Sequence, residues 1–135
     1  MLEYVQKCFR HYVDFSGRAR RREYWFFVLF NALVYIALIT LFGVFMVLES
    51  VEGSILTYVL IDIFGLGTLL PGIAVTVRRL HDINKSTGFF FIVFIPLGGA
   101  IWLIVQMCRP GTVGDNRFGA DPKAIPDSDN SISNL

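Results

Sequence analysis

Between Tyr24 and Leu48 the chain runs 25 residues without one charged side chain (YWFFVLFNALVYIALITLFGVFMVL). As a helix that run is about 37 Å long, more than the roughly 30 Å of a bilayer's hydrocarbon core requires. A cleaved secretory signal fits it poorly. The apolar core of such a signal is about 7–15 residues and ends in a small-residue site, whereas this run ends in Val47-Leu48-Glu49. The segment is therefore expected to be a retained membrane span. Composition agrees: only 17% of the residues are charged, against 54% apolar, where an ordinary soluble domain carries about 25% charge.

Two more apolar runs follow, at residues 55–77 and 88–107. The second contains Asp62 and is interrupted by Gly65, Gly67, Pro71 and Gly72. Proline removes a helical hydrogen bond, so this span is expected to be kinked or broken near Pro71. The third is uncharged, with Pro96, Gly98 and Gly99 at its middle. Ahead of the first span, Leu2, Val5, Phe9, Tyr12 and Val13 fall at helical spacing among polar residues. That pattern predicts a short amphipathic helix at the membrane interface. Ser16 offers an N-cap hydroxyl for the first span. The expected fold is an all-α integral membrane bundle: an interfacial N-terminal helix and three transmembrane helices. One domain covers residues 1–122, and residues 123–135 form a disordered polar tail.

Basic residues orient it. Lys7, Arg10, Arg18, Arg20, Arg21, Arg22, Arg78, Arg79 and Lys85 flank the spans on one side, and residues 49–54 hold no Lys or Arg. With three crossings and a cytoplasmic N-terminus, nine basic residues lie inside and three outside, as the positive-inside tendency favours. If the second segment entered and returned instead, the tail would be cytoplasmic. Under three crossings Cys8 and Cys108 lie near opposite faces and should not pair.

Four candidate sites carry polar chemistry. Arg18, Arg20, Arg21 and Arg22, with Arg78 and Arg79, could bind anionic headgroups, since guanidinium groups fork onto phosphate oxygens. The same residues could serve only as a topology signal. Asp62 costs about 2.5–3.5 kcal/mol near a helix centre. Thr40 and Gln106 fall near its expected depth, so it is either a protonatable site lining a cavity or a packing residue. Arg78 and Asp82 are possible i,i+4 partners. His81 beside Asp82 could relay protons at the interface or be a structural histidine. Lastly, the turn-forming residues from Arg109 to Pro122 suggest a loop folded back on the membrane face, anchored by Phe118. There is no metal-ligand spacing and no motif of a soluble enzyme or cofactor site.

Three motifs in order resemble a known family: Phe15-Ser16-Gly17-Arg18-Ala19-Arg20-Arg21-Arg22-Glu23-Tyr24-Trp25, Arg78-Arg79-Leu80-His81-Asp82, and Pro110-Gly111-Thr112 through Asn116-Arg117-Phe118-Gly119. The family is the domain of unknown function 805 family of small bacterial inner-membrane proteins, and the resemblance covers residues 10 to 122. It implies an inner-membrane helical bundle and brings no activity, so no catalytic role is carried over. Where the family often has a small-residue turn followed by tryptophan, Asn84-Lys85-Ser86-Thr87-Gly88 here leads into Phe89.

The expectation is a multi-pass, non-enzymatic membrane component without cofactor or metal. Its Arg-rich cytoplasmic face would bind anionic lipid or partner proteins, not nucleic acid. A homo-oligomer is plausible because Gly65, Gly67, Gly98 and Gly99 allow close helix approach. The alternative is a small transporter or channel subunit using Asp62 in a broken span.

Overall fold

Three residues, Leu48 to Ser50, reverse the chain between its two longest helices in the computed structural model, which describes residues 2–124. Helix α1 is Leu2–Arg10, α2 Arg21–Val47, α3 Val51–Asp82 and α4 Gly98–Cys108. A 3-10 helix, Thr87–Phe94, precedes α4. Among the described residues everything regular is helical, apart from an isolated antiparallel bridge between Asn116 and Gly119. The polar stretch expected to be disordered lies outside the described residues from position 125 onward.

The α2–α3 turn is set by local chemistry. Ser50 N–H bonds to Phe45 O and Glu49 N–H to Met46 O, a pairing that satisfies carbonyls left open at a helix end. It requires a left-handed residue, and Glu49 takes that role at φ 53°, where glycine is usual. Ser50 then caps α3, its Oγ accepting the Gly53 N–H at 3.3 Å, as an N-cap hydroxyl does. α3 ends in the same way: Lys85 N–H bonds to Leu80 O and Asn84 N–H to His81 O, with Asn84 at φ 59°.

Two of the long apolar runs are each a helix of spanning length, and the third is not. α2 is 27 residues and α3 is 32, so each exceeds the roughly 20 residues needed to cross. α3 continues through Pro71, so the expected break in the second run is absent. A single proline removes one hydrogen bond, a loss that packed spans tolerate. The break falls in the third run, where Pro96 is followed at once by Leu97 and two glycines. Ile95 is extended (φ −76°, ψ 118°), as a residue before proline prefers, and Leu97 is at φ 60°. The run is therefore two short helices joined by a turn. Ser16 does not cap α2, which starts at Arg21; its Oγ donates to Asp14 Oδ1.

The chain forms two compact units. In one (Met1–Val13 with Trp25–Ala74), α1 buries Val5 and Cys8 and seats its rings on α2. Tyr4 stacks on Phe26 at 5.4 Å, and Phe9 meets Phe27 edge-on at 6.0 Å. Phe30 and Tyr35 of α2 both touch Phe64 of α3. The other unit (Asp14–Tyr24 with Val75–Leu135) holds the first turn of α2, the last two turns of α3, the 3-10 helix, α4 and the tail. Its apolar centre is Leu80, Leu103 and Met107, packed by Tyr24, Ile83, Phe89, Phe90, Val93 and Trp102. Phe89 stacks on Trp102 at 5.7 Å. In a straight helix those two positions would be about 20 Å apart, so the segment doubles back as a hairpin.

Candidate functional site

At the C-terminal end of α3, every residue from Val75 to Asp82 is buried. An apolar sheath would suit a plain helix end, but this stretch carries Arg78, Arg79, His81 and Asp82. A buried charge is tolerated only when paired and hydrogen-bonded, and the partners come from two distant segments. Asp82 Oδ1 accepts from Arg18 Nε at 3.1 Å and lies 3.0 Å from Arg18 Nη2. Its Oδ2 is paired with Arg79 Nη1, one turn earlier on the same helix. The three side chains are 1%, 0% and 3% exposed.

One carboxylate cannot neutralise two guanidinium groups, and backbone carbonyls take up the remaining donors. Arg18 Nη1 donates to Gly114 O at 2.7 Å and Nη2 to Thr112 O at 2.5 Å. Arg79 donates to Met107 O at 3.4 Å and to Arg109 O. Arg20 Nε reaches Pro122 O at 2.8 Å. Thr112 N–H closes the loop on Asp82 O at 2.7 Å. The approach is tight: a Cβ on Gly111 would sit 2.1 Å from Asp82 Oδ2. The tail from Arg109 to Pro122 is thus strapped over the helix end.

His81 faces away from this pair. Its Nδ1 lies 3.1 Å from Gly17 O and its Nε2 3.1 Å from Thr87 Oγ1. A carbonyl only accepts, so Nδ1 carries the proton and the Thr87 hydroxyl can donate to Nε2. Phe118 lies flat on the imidazole, 4.1 Å between centroids and 4° from parallel, with the Arg117 guanidinium 4.7 Å from the Phe118 ring centroid. Asn116 donates to His81 O at 2.9 Å, and its own side-chain oxygen accepts the Phe118 N–H. Asp121 is held ionised below the usual carboxylate range by the N–H groups of Lys123 and Gly114. Replacing Phe118 with alanine is expected to lower the stability of the strap by about 0.5–1.5 kcal/mol, the worth of such a ring pair. Limited proteolysis should show faster cleavage between Arg109 and Lys123.

The sequence-predicted residues divide sharply. Arg18, Arg78 and Arg79 are buried and Arg20 is partly so, whereas Arg21 and Arg22 are exposed. Among the described residues Arg21 reaches the Cys108 carbonyl, at 3.3 Å. Asp82 pairs with Arg79 and with Arg18, 64 positions away. His81 and Asp82, expected as an interfacial pair, face different partners. Asp62 is exposed on α3, and Thr40 is exposed on α2 with its hydroxyl on Ile36 O. Gln106 is buried in the other unit, accepting from Arg109 at 3.2 Å. Sequence reading gave Thr112, Asn116 and Thr87 no individual role, although the first two stand in the third motif and among the turn formers that suggested a folded loop. Among the described residues no group of three His, Cys, Asp or Glu could hold a metal ion. The arrangement can clamp chain segments.

A small helical chain with two helices of membrane-spanning length, closed at one end by a buried arginine–aspartate clamp, is the class of protein these features define. The chain belongs to the family described as protein of unknown function, DUF805, whose model matches residues 12–120. All three motif segments of the clamp lie within that match. Among its relatives is the inner membrane protein YhaI of Escherichia coli K12, 39% identical over 122 residues, 90% of this chain and 97% of that one. The inner membrane protein YhaH of the same organism is 38% identical over 125 residues, 93% of this chain and all of YhaH. No solved structure matches the chain.

Proposed function

We propose that this chain is a non-enzymatic inner-membrane protein that crosses the bilayer twice, with both termini in the cytoplasm, and binds anionic headgroups there through Arg21 and Arg22. The observation that carries the reading is the split among the arginines. Arg18 and Arg79 are consumed by Asp82 and by backbone carbonyls, while Arg21 and Arg22 stand exposed at the start of an apolar helix. Two supports stand beside it. The relatives are inner membrane proteins by name. With two crossings, all 12 Lys and Arg residues fall on one side, and the α2–α3 turn with the first turn of α3 carries only Glu49 and Glu52. That satisfies the positive-inside tendency better than the nine-to-three division of three crossings.

Native mass spectrometry of the protein released from its own membranes tests the binding. Each arginine near an anionic surface contributes about 1 kcal/mol, so Arg21→Gln with Arg22→Gln should weaken retention of anionic lipid roughly 30-fold. The protein should stay folded, because Arg21 makes an exposed 3.3 Å bond to the Cys108 carbonyl and neither side chain pairs with Asp82. Unchanged retention in the double variant would sink the headgroup assignment.

A further inference from the structure

The hairpin at residues 87–108 is built as a polar base with an apolar tip. At the base, Arg79 bonds to the carbonyls of Met107 and Arg109, Arg21 to that of Cys108, and Thr87 to His81. Lys85 sits over the Phe89 ring, 5.1 Å from its centroid. Towards the tip, charge vanishes: the 20 residues from Gly88 to Met107 contain none. Phe91, Phe94, Ile95 and Leu97 are 64%, 72%, 57% and 86% exposed. An apolar surface of that kind, on a chain that already carries two spanning helices, has an available apolar solvent in the bilayer.

The dimensions match one leaflet. α4 has 11 residues, about 16 Å at helical rise. The 3-10 arm has 8 residues, also about 16 Å at its longer rise. Two arms of equal length bring the turn to about half the roughly 30 Å hydrocarbon thickness. Open backbone is costly there, because lipid offers no hydrogen bonds. The turn is constructed to have little of it. Ile95 N–H bonds to Ile92 O at 2.9 Å, Gly98 N–H to Pro96 O at 2.7 Å and Gly99 N–H to Ile95 O at 3.1 Å. Pro96 has no N–H to satisfy. The arms also close on each other without space for a side chain at Gly99, whose Cβ would meet the Ile92 carbonyl oxygen at 1.8 Å.

We propose that this hairpin is a re-entrant element, inserted from the cytoplasmic side into the acyl chains of the inner leaflet with its Ile95–Leu97 turn near the bilayer midplane. The proposal rests on the two-crossing reading and adds the depth of the hairpin and the lipid that covers it. The polar base fixes the direction of insertion, since the clamp that holds it is charged and the tip is not. The tail then returns to the side from which the chain entered.

Single cysteines at Leu97 and, independently, at Phe94, in a Cys8→Ser, Cys108→Ser background, test this in native membranes. A membrane-impermeant maleimide is applied to spheroplasts and to inverted vesicles. Val113→Cys serves as the accessible control, its position being 94% exposed in the tail. A cytoplasm-only reporter fused at the C-terminus reports the side of the tail. Thiolates are suppressed in apolar surroundings, so both tip cysteines, with the reagent on either side, should react roughly tenfold or more slowly than Val113→Cys does in inverted vesicles. A bimane attached in detergent and reconstituted should be quenched most by lipids brominated deep in the chain. Labelling of Val113→Cys in spheroplasts with a silent reporter would mean a third crossing and would overturn both readings. Labelling of the tip cysteines in inverted vesicles with an active reporter would leave two crossings standing and place the hairpin outside the bilayer. Protection from both sides without quenching would show protein, not lipid, covering the tip, and would equally overturn the proposal.

Discussion

Asp82→Ala is expected to destabilise the strapped helix end by about 3–5 kcal/mol, because removing one partner of a buried ion pair leaves the other charge uncompensated. Here two charges are stranded: Arg18 and Arg79 are 1% and 0% exposed and share that single carboxylate. Carbonyl contacts from Thr112, Gly114 and Met107 would remain, but dipoles do not neutralise them. A loss of that size is a large fraction of the 5–15 kcal/mol that holds a typical domain together. In detergent micelles the melting temperature should fall by roughly 10–20 °C, and the tail should become the first site of proteolysis. Asp82→Asn keeps the side chain's volume and one acceptor, so its effect should be intermediate. A melting temperature within about 2 °C of wild type for Asp82→Ala would mean that the clamp contributes less than about 1 kcal/mol, contrary to the geometry.

What could be read from the sequence tracks how local each feature is. Long apolar runs announced α2 and α3, because spanning length and a scarcity of Lys, Arg, Asp and Glu, with Asp62 the one charge in the second run, are properties of a continuous segment. The folded loop with Phe118 as anchor was legible from turn formers alone, although the surface it stacks on, the His81 ring, was not. The same local signals failed where two runs carry similar punctuation. Pro71-Gly72 and Pro96-Leu97-Gly98-Gly99 both read as helix breakers, yet only the second breaks. The difference lies in compensation from afar: the turned hairpin gains the Phe89–Trp102 stack and the contact of Gly99 with Ile92, which no window of sequence displays. The arginines make the same point. Counting charges treats Arg18, Arg21 and Arg79 alike, while the fold buries two of them against Asp82 and leaves the third outside.

Two adjacent glycines should respond to the same substitution with opposite signs. Gly98 has nothing within 4 Å of where a Cβ would stand. Gly98→Ala should therefore be neutral or stabilise α4 by up to about 1 kcal/mol, through the ordinary helix preference of alanine. Gly99→Ala places its methyl 1.8 Å from the Ile92 carbonyl oxygen and 3.1 Å from Ile95 Cβ. The first of these obstacles is backbone, so it cannot rotate aside; the arms must separate. Overpacking of this kind costs about 1–3 kcal/mol, and here it falls on the contact that lets the third apolar run turn back. Melting of the two variants in detergent measures the difference directly, and it should exceed the spread of ordinary surface substitutions, about 0.5 kcal/mol either way. The separation should also reach the tip. In the Leu97→Cys background, Gly99→Ala should raise maleimide labelling from inverted vesicles, whereas Gly98→Ala should leave it unchanged. Equal melting and equal labelling for both would mean that the arms do not meet at Gly99 in the membrane, and the equal-length hairpin would lose its main structural reason.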